Sequence, residues 1–145
     1  MHSKNFVHRD MKPENILIGQ GKKANIVHLI DFGLSKRFIS PCTGKHVPLT
    51  QKNGCVGTIR FLSQNAHSGF EHARRDDMES LGLILIYFMQ KGKLPWSSVP
   101  QPDDKQPNGG KSAAEMTQAE YAIKLKKYDS KVKKSKAKST LEQIC

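Results

Sequence analysis

Two short runs of residues near the start of the chain have types and spacing suited to chemistry. His8-Arg9-Asp10-Met11-Lys12-Pro13-Glu14-Asn15 places a carboxylate, an ammonium and an amide within six positions, and Asp31-Phe32-Gly33 follows sixteen residues after Asn15. A carboxylate can accept a proton from an attacking group, a lysine supplies a compact positive charge, and amide and carboxylate oxygens suit a hard divalent cation. The plain alternative is a set of polar side chains lining a turn.

The elements that must hold these residues are short. Two β-prone runs, Asn15 to Ile18 and Ile26 to Phe32, flank the turn-rich Gly19-Gln20-Gly21 and predict a β-hairpin. Asn15 would open one strand and Asp31 would close the other. Gly19 to Ala24 also matches G-x-G-x-x-A, a phosphate-cradling pattern, but that pattern needs a helix after the glycines and a strand is expected here. The strongest helix signal runs from Asp76 to Lys91, with Asp76 as cap, Glu79 completing a capping box, and Gly92 and Pro95 as stops. Met78, Leu81, Leu85 and Phe88 form a stripe, and Leu83, Ile84, Ile86 and Met89 cover much of the rest, so a central buried helix is predicted. A second helix is expected from Ser112, boxed by Glu115 and carrying Tyr121, Leu125 and Tyr128.

Composition bounds the partners. Among 145 residues, 24 Lys or Arg face 13 Asp or Glu, for a net charge of +11. Residues 1 to 100 hold 14 basic and 7 acidic residues, 101 to 120 hold 2 and 4, and 121 to 145 hold 8 and 2, so a basic body is joined by an acidic stretch to a lysine-dense tail. The longest apolar run is nine residues, Leu81 to Met89, against about 20 for a membrane span. No secretory signal pattern opens the sequence. Cys42, Cys55 and Cys145 form an odd set without C-x-x-C, which points to reduced thiols. The six histidines lack metal-ligand spacing.

The H-R-D-x-K-P-x-N and D-F-G motifs together resemble the catalytic and metal-binding loops of eukaryotic protein kinases. The stretch Gly57 to His67, with Ser63-Gln64-Asn65 where most kinases have Ala-Pro-Glu, resembles the casein kinase I pattern of Ser-Ile-Asn. Arg74 to Gly82, Leu94-Pro95-Trp96 and Lys45 to Pro48 are similar to the same family. The likeness covers residues 1 to 96 almost continuously and resumes more loosely from Tyr121.

That resemblance implies an α+β, protein-kinase-like C-terminal lobe, mainly helical with a small β-hairpin. It implies transfer of the γ-phosphate of ATP to serine or threonine with Mg2+ as cofactor. By the same likeness Asp10 orients the attacking hydroxyl and takes up its proton, Lys12 steadies the γ-phosphate, and Asn15 and Asp31 hold the cation. Thr58 would bond near Asp10 and Lys12, and Asp77 would brace the catalytic loop, although a helix cap fits Asp77 as well. Arg60 would read acidic or phosphorylated residues of a protein substrate. Arg9 would be structural.

Seven residues precede His8, so the glycine-rich loop, strand lysine and helix glutamate of a kinase are missing upstream. Tyr121-Ala122-Ile123-Lys124 imitates the lysine motif in the wrong place. The expectation is therefore an incomplete fold without the small lobe: 1–96 as the lobe core, 97–118 as a flexible insertion, and 119–145 as a basic helical tail. The insertion displaces the lysine that would partner Arg60. Protein or peptide substrates, no membrane, a monomeric parent kinase and a cytoplasmic or nuclear setting are the expected context. Two other readings stay open: a catalytically dead binding module, and a basic anion- or nucleic-acid-binding segment. The later tail lysines have no aromatic interleaving, which argues against nucleic acid.

Overall fold

The structure is a computed structural model that describes residues 1–51, 56–99 and 118–139, with backbone alone over 118–122. The chain divides into two units, Met1–Lys91 and Gly92–Cys145. All the residues of the two chemical motifs lie in the first.

In that unit β1 (Phe6–Val7) pairs antiparallel with β4 (Lys36–Arg37), in the register Phe6 with Arg37 and Val7 with Lys36. Between them lies the expected hairpin, β2 (Ile16–Ile18) with β3 (Val27–Leu29), in which Ile16 faces Leu29 and Ile18 faces Val27. Gly19 closes it because a side chain there would collide with the Lys23 carbonyl, at 2.2 Å from the Cβ position. A 3-10 turn and then a strand follow the glycines, as the hairpin reading requires. Asn15 belongs not to β2 but to a 3-10 turn, Pro13–Asn15, since Pro13 fixes a backbone angle suited to a turn.

Helix α1 (Gln64–His67) and helix α2 (Arg74–Met89) complete the unit. The 3-10 turn Ile59–Phe61 and α1 both pack on α2. Phe61 meets Tyr87 edge to face at 5.5 Å. Val7, Phe38, Ile59, Phe61, Leu62, Ala66 and Ile84 are the buried apolar residues. Each contributes roughly 1.5–3 kcal/mol if a full-sized apolar side chain is removed from water.

Two sequence expectations for α2 need correction. It begins at Arg74, not Asp76, because the Asp76 carboxylate is the third helical residue and accepts the Ala73 N–H at 2.7 Å. Its other oxygen takes the Ser63 hydroxyl at 2.5 Å, a partner thirteen residues away. Glu79 likewise serves α1, accepting the Gln64 N–H at 2.9 Å. Nor is the helix buried all round. Ile84 is buried, whereas Met78, Leu85, Phe88 and Met89 are all more than half exposed.

In the second unit Leu94 and Trp96 are buried, and α3 spans Gln118–Lys138. Tyr128, Val132 and Lys136 recur every four residues as its buried face, and the Lys136 ammonium sits 4.9 Å from the Trp96 ring centre. The helix start expected at Ser112, the Glu115 box and residues 100 to 117 of the expected 97–118 insertion lie outside the described residues. Among the described residues no helix is long and apolar enough to cross a membrane.

Candidate active site

The loop after β1 is fastened by its backbone. Asp77, in the first turn of α2, accepts the His8 N–H at 2.8 Å and the Arg9 N–H at 3.0 Å, one on each carboxylate oxygen. It also meets His2 Nε2 at 2.7 Å. A carboxylate is favoured there because the N-terminal end of a helix is electropositive. Asp77 is 5% exposed, so these bonds are shielded from water. The fully buried His8 ring points the other way, meeting the Ile30 carbonyl through Nε2 at 3.0 Å and accepting the Asp10 N–H on Nδ1 at 3.3 Å. Those two contacts select the tautomer with its proton on Nε2. The imidazole thereby joins the loop carrying Asp10 to the end of the hairpin carrying Asp31.

Asp10 is the centre of the next layer. Its Oδ1 accepts both the Thr58 N–H at 2.8 Å and the Thr58 hydroxyl at 2.7 Å. Oδ2 lies 3.0 Å from Lys12 Nζ. The Asn15 amide donates to the Asp10 carbonyl at 2.9 Å. Burial pushes the Asp10 carboxyl up, but the Thr58 hydrogen bonds and the Lys12 hydrogen bond and charge outweigh it, leaving the group below the usual carboxylate value. It is therefore ionised at neutral pH, an acceptor able to orient a hydroxyl.

Thr58 reaches Asp10 because Gly57 has φ of 102° and no side chain. A Cβ on Gly57 would stand 2.3 Å from the Arg9 carbonyl oxygen. The close backbone approach of residues 57 and 9 thus brings together groups 48 positions apart.

Asp31 stands slightly apart from this hydrogen-bonded group. Its carboxylate is exposed and accepts the Gly33 N–H at 3.2 Å, with φ of 60° at Asp31 itself. The link to Asn15 runs through the backbone, where the Ile30 N–H donates to the Asn15 carbonyl at 3.0 Å. Phe32 meets the His8 ring edge to face at 5.6 Å. With Asn15 Nδ2 donating to the Asp10 carbonyl, Oδ1 is the acceptor of the amide. That amide oxygen and the exposed Asp31 carboxylate are oxygen donors of the kind Mg2+ takes alongside phosphate oxygens and water. The donor chemistry fits that ion. Among the described residues no cluster of three or more His, Cys, Asp or Glu side chains offers an alternative metal cage.

Arg9 has φ of 71°, and its guanidinium lies 3.7 Å from Glu71. Arg60 is half-buried in the 3-10 turn two residues after Thr58. Three contributors were not singled out from the sequence. The His8 contact with Ile30, the acid Glu71 and the His2 contact with Asp77 all depend on partners 22 to 75 residues away. Only the histidine of the H-R-D motif carried a local signal.

A family model described as the protein kinase domain matches residues 1–145, the full length of the chain. With the Asp10 carboxylate held by Thr58 and Lys12, and the backbone of its loop held by Asn15 and by Asp77 on α2, the chain belongs to the protein kinase domain family.

Proposed function

We propose that the chain is the large-lobe portion of a serine/threonine protein kinase of casein kinase I type. The observation that carries this reading is the Asp10 carboxylate, which shares one oxygen between two Thr58 donors and faces Lys12 with the other. Phosphoryl transfer demands positioning and neutralisation of charge more than covalent chemistry by the protein. Asp10 accepts a hydrogen bond from the substrate hydroxyl and takes its proton as that oxygen bonds to the γ-phosphorus of ATP and the bond from the γ-phosphorus to the bridging oxygen breaks, releasing ADP. Lys12 then exchanges part of its pairing with Asp10 for a phosphate oxygen. Thr58 holds the carboxylate still while this happens, and Asp77 holds the loop backbone. Bound Mg2+ would neutralise phosphate charge, and Asn15 and Asp31 are the residues that would hold it. Arg60 supplies a fork of donors for a carboxylate or phosphate on the protein substrate.

The casein kinase I assignment is tested by substrate choice. Phosphate transfer from Mg-ATP is measured with the natural product that carries these residues, on serine peptides with and without acidic or phosphorylated residues ahead of the serine. A preference of about tenfold, or 1.4 kcal/mol, for the acidic peptides is expected, diminished through KM by Arg60→Gln. Equal rates on both peptides would contradict it.

A further inference from the structure

Glu71 lies between α1 and α2 and has no part in the chemistry described above. Its side chain is 8% exposed, yet it carries a charge. One oxygen is 3.0 Å from Lys36 Nζ on β4, and the other is 3.7 Å from the Arg9 guanidinium on the catalytic loop. Its own N–H donates to the Thr50 carbonyl at 2.8 Å. A shielded carboxylate of this kind is stable only while its cations stay in place, because removing one partner leaves the other charge uncompensated.

The Arg9 end of this bridge is under strain. A non-glycine residue at φ of 71° costs on the order of 1–3 kcal/mol and persists only when its surroundings hold it. Asp77 holds the Arg9 backbone N–H. The Arg9 side chain is held less firmly: among the described residues its buried Nε has no hydrogen-bond partner, and Arg9, Glu71 and His72 help to line a cavity of about 180 Å³. The contact with Glu71 restrains it by charge. Motion of Arg9 would pass directly to the site, since Asp10 is the next residue and the Arg9 carbonyl abuts Gly57, the neighbour of Thr58.

We propose that Glu71 is a positioning residue for phosphoryl transfer: it clamps the catalytic loop, through Arg9, to β4, through Lys36, and so keeps Asp10 under the two Thr58 donors. This rests on Asp10 being the catalytic carboxylate. The clamp is built from side chains of the chain itself and needs no added group.

Amide hydrogen exchange on the 145-residue chain tests it. In Glu71→Gln, the Asp10 and Thr58 amides are expected to exchange about tenfold faster than in the wild type, while the Ala66 amide, held by the Ser63 hydroxyl at 3.0 Å, keeps its rate. Unchanged Asp10 and Thr58 amides, or an equal acceleration at Ala66, would overturn the clamp. Should Glu71→Gln not fold, Lys36→Gln removes the more exposed partner and is expected to give the same pattern at about threefold. A uniform change or none in that variant would equally overturn it. Exchange is read without phosphate transfer, so a chain that failed as a kinase would leave this result standing and the two failures would be told apart.

Discussion

At Asp10 two opposing influences meet, and the outcome decides what the residue can do. Burial alone would favour the neutral acid, which could not accept a proton. Two bonds from Thr58 and the facing Lys12 reverse that preference. Thr58→Val removes the hydroxyl and keeps the backbone N–H, so the Asp10 carboxyl should titrate at a higher pH than in the wild type. Carboxyl NMR titration reads this, and an unmoved titration would show that the hydroxyl does not sustain the ionised form. The same depression sets a pH dependence. A carboxyl whose folded pKa lies below its unfolded value near 3.8 stabilises the fold above that pH, and this contribution is lost as pH falls through the folded value. The stability difference between wild type and Asp10→Asn should therefore change below about pH 4 and stay level above it. Parallel pH profiles through the acid range would count against the assignment.

At the level of elements, the site is a loop pinned between a helix start and a glycine. Gly57→Ala would bring a methyl group to 2.3 Å from the Arg9 carbonyl in a backbone region that favours glycine. A loss of roughly 2–3 kcal/mol is expected in urea unfolding, together with loss of the Thr58 contact; a change under about 0.5 kcal/mol would mean that the close approach is not needed. The same elements show what could be read from the sequence. The hairpin was legible because its apolar runs and glycine turn are local signals, and so was the body of α2. The start of α2 was not, because Asp76 divides its carboxylate between Ala73 and the distant Ser63 rather than acting as the cap. The motif residues Asp10, Lys12 and Asn15 could be named from spacing and resemblance. That Glu71 would meet Arg9 and Lys36 could not, since no periodicity relates positions 62 and 35 residues apart.

Across the whole molecule, the exposed apolar residues are as informative as the buried ones. Ile18 and Val27, paired across the hairpin, are 71% and 65% exposed, and Phe32, five residues after Val27, is 55% exposed. The outward residues of α2 add Leu85, Phe88 and Met89. A two-stranded hairpin is marginal by itself, and apolar surface of this kind favours association or a looser native state. The 145-residue chain should therefore bind an apolar fluorescent dye in its native state and lose that binding on full unfolding in urea; no native-state dye binding would show that these side chains are covered. The charge is divided along the sequence: residues 1 to 100 carry 14 basic against 7 acidic residues, and eight lysines crowd residues 121 to 145. The central claim is that Asp10 receives the proton during phosphate transfer, and replacing it without changing its shape is the most direct measurement. In the natural product carrying these residues, Asp10→Asn should lower kcat for Mg-ATP-dependent phosphorylation of a serine peptide by about 10²–10⁴-fold, with KM for ATP changed by less than about threefold. A folded Asp10→Asn protein whose kcat stayed within about threefold of the wild type would contradict the account.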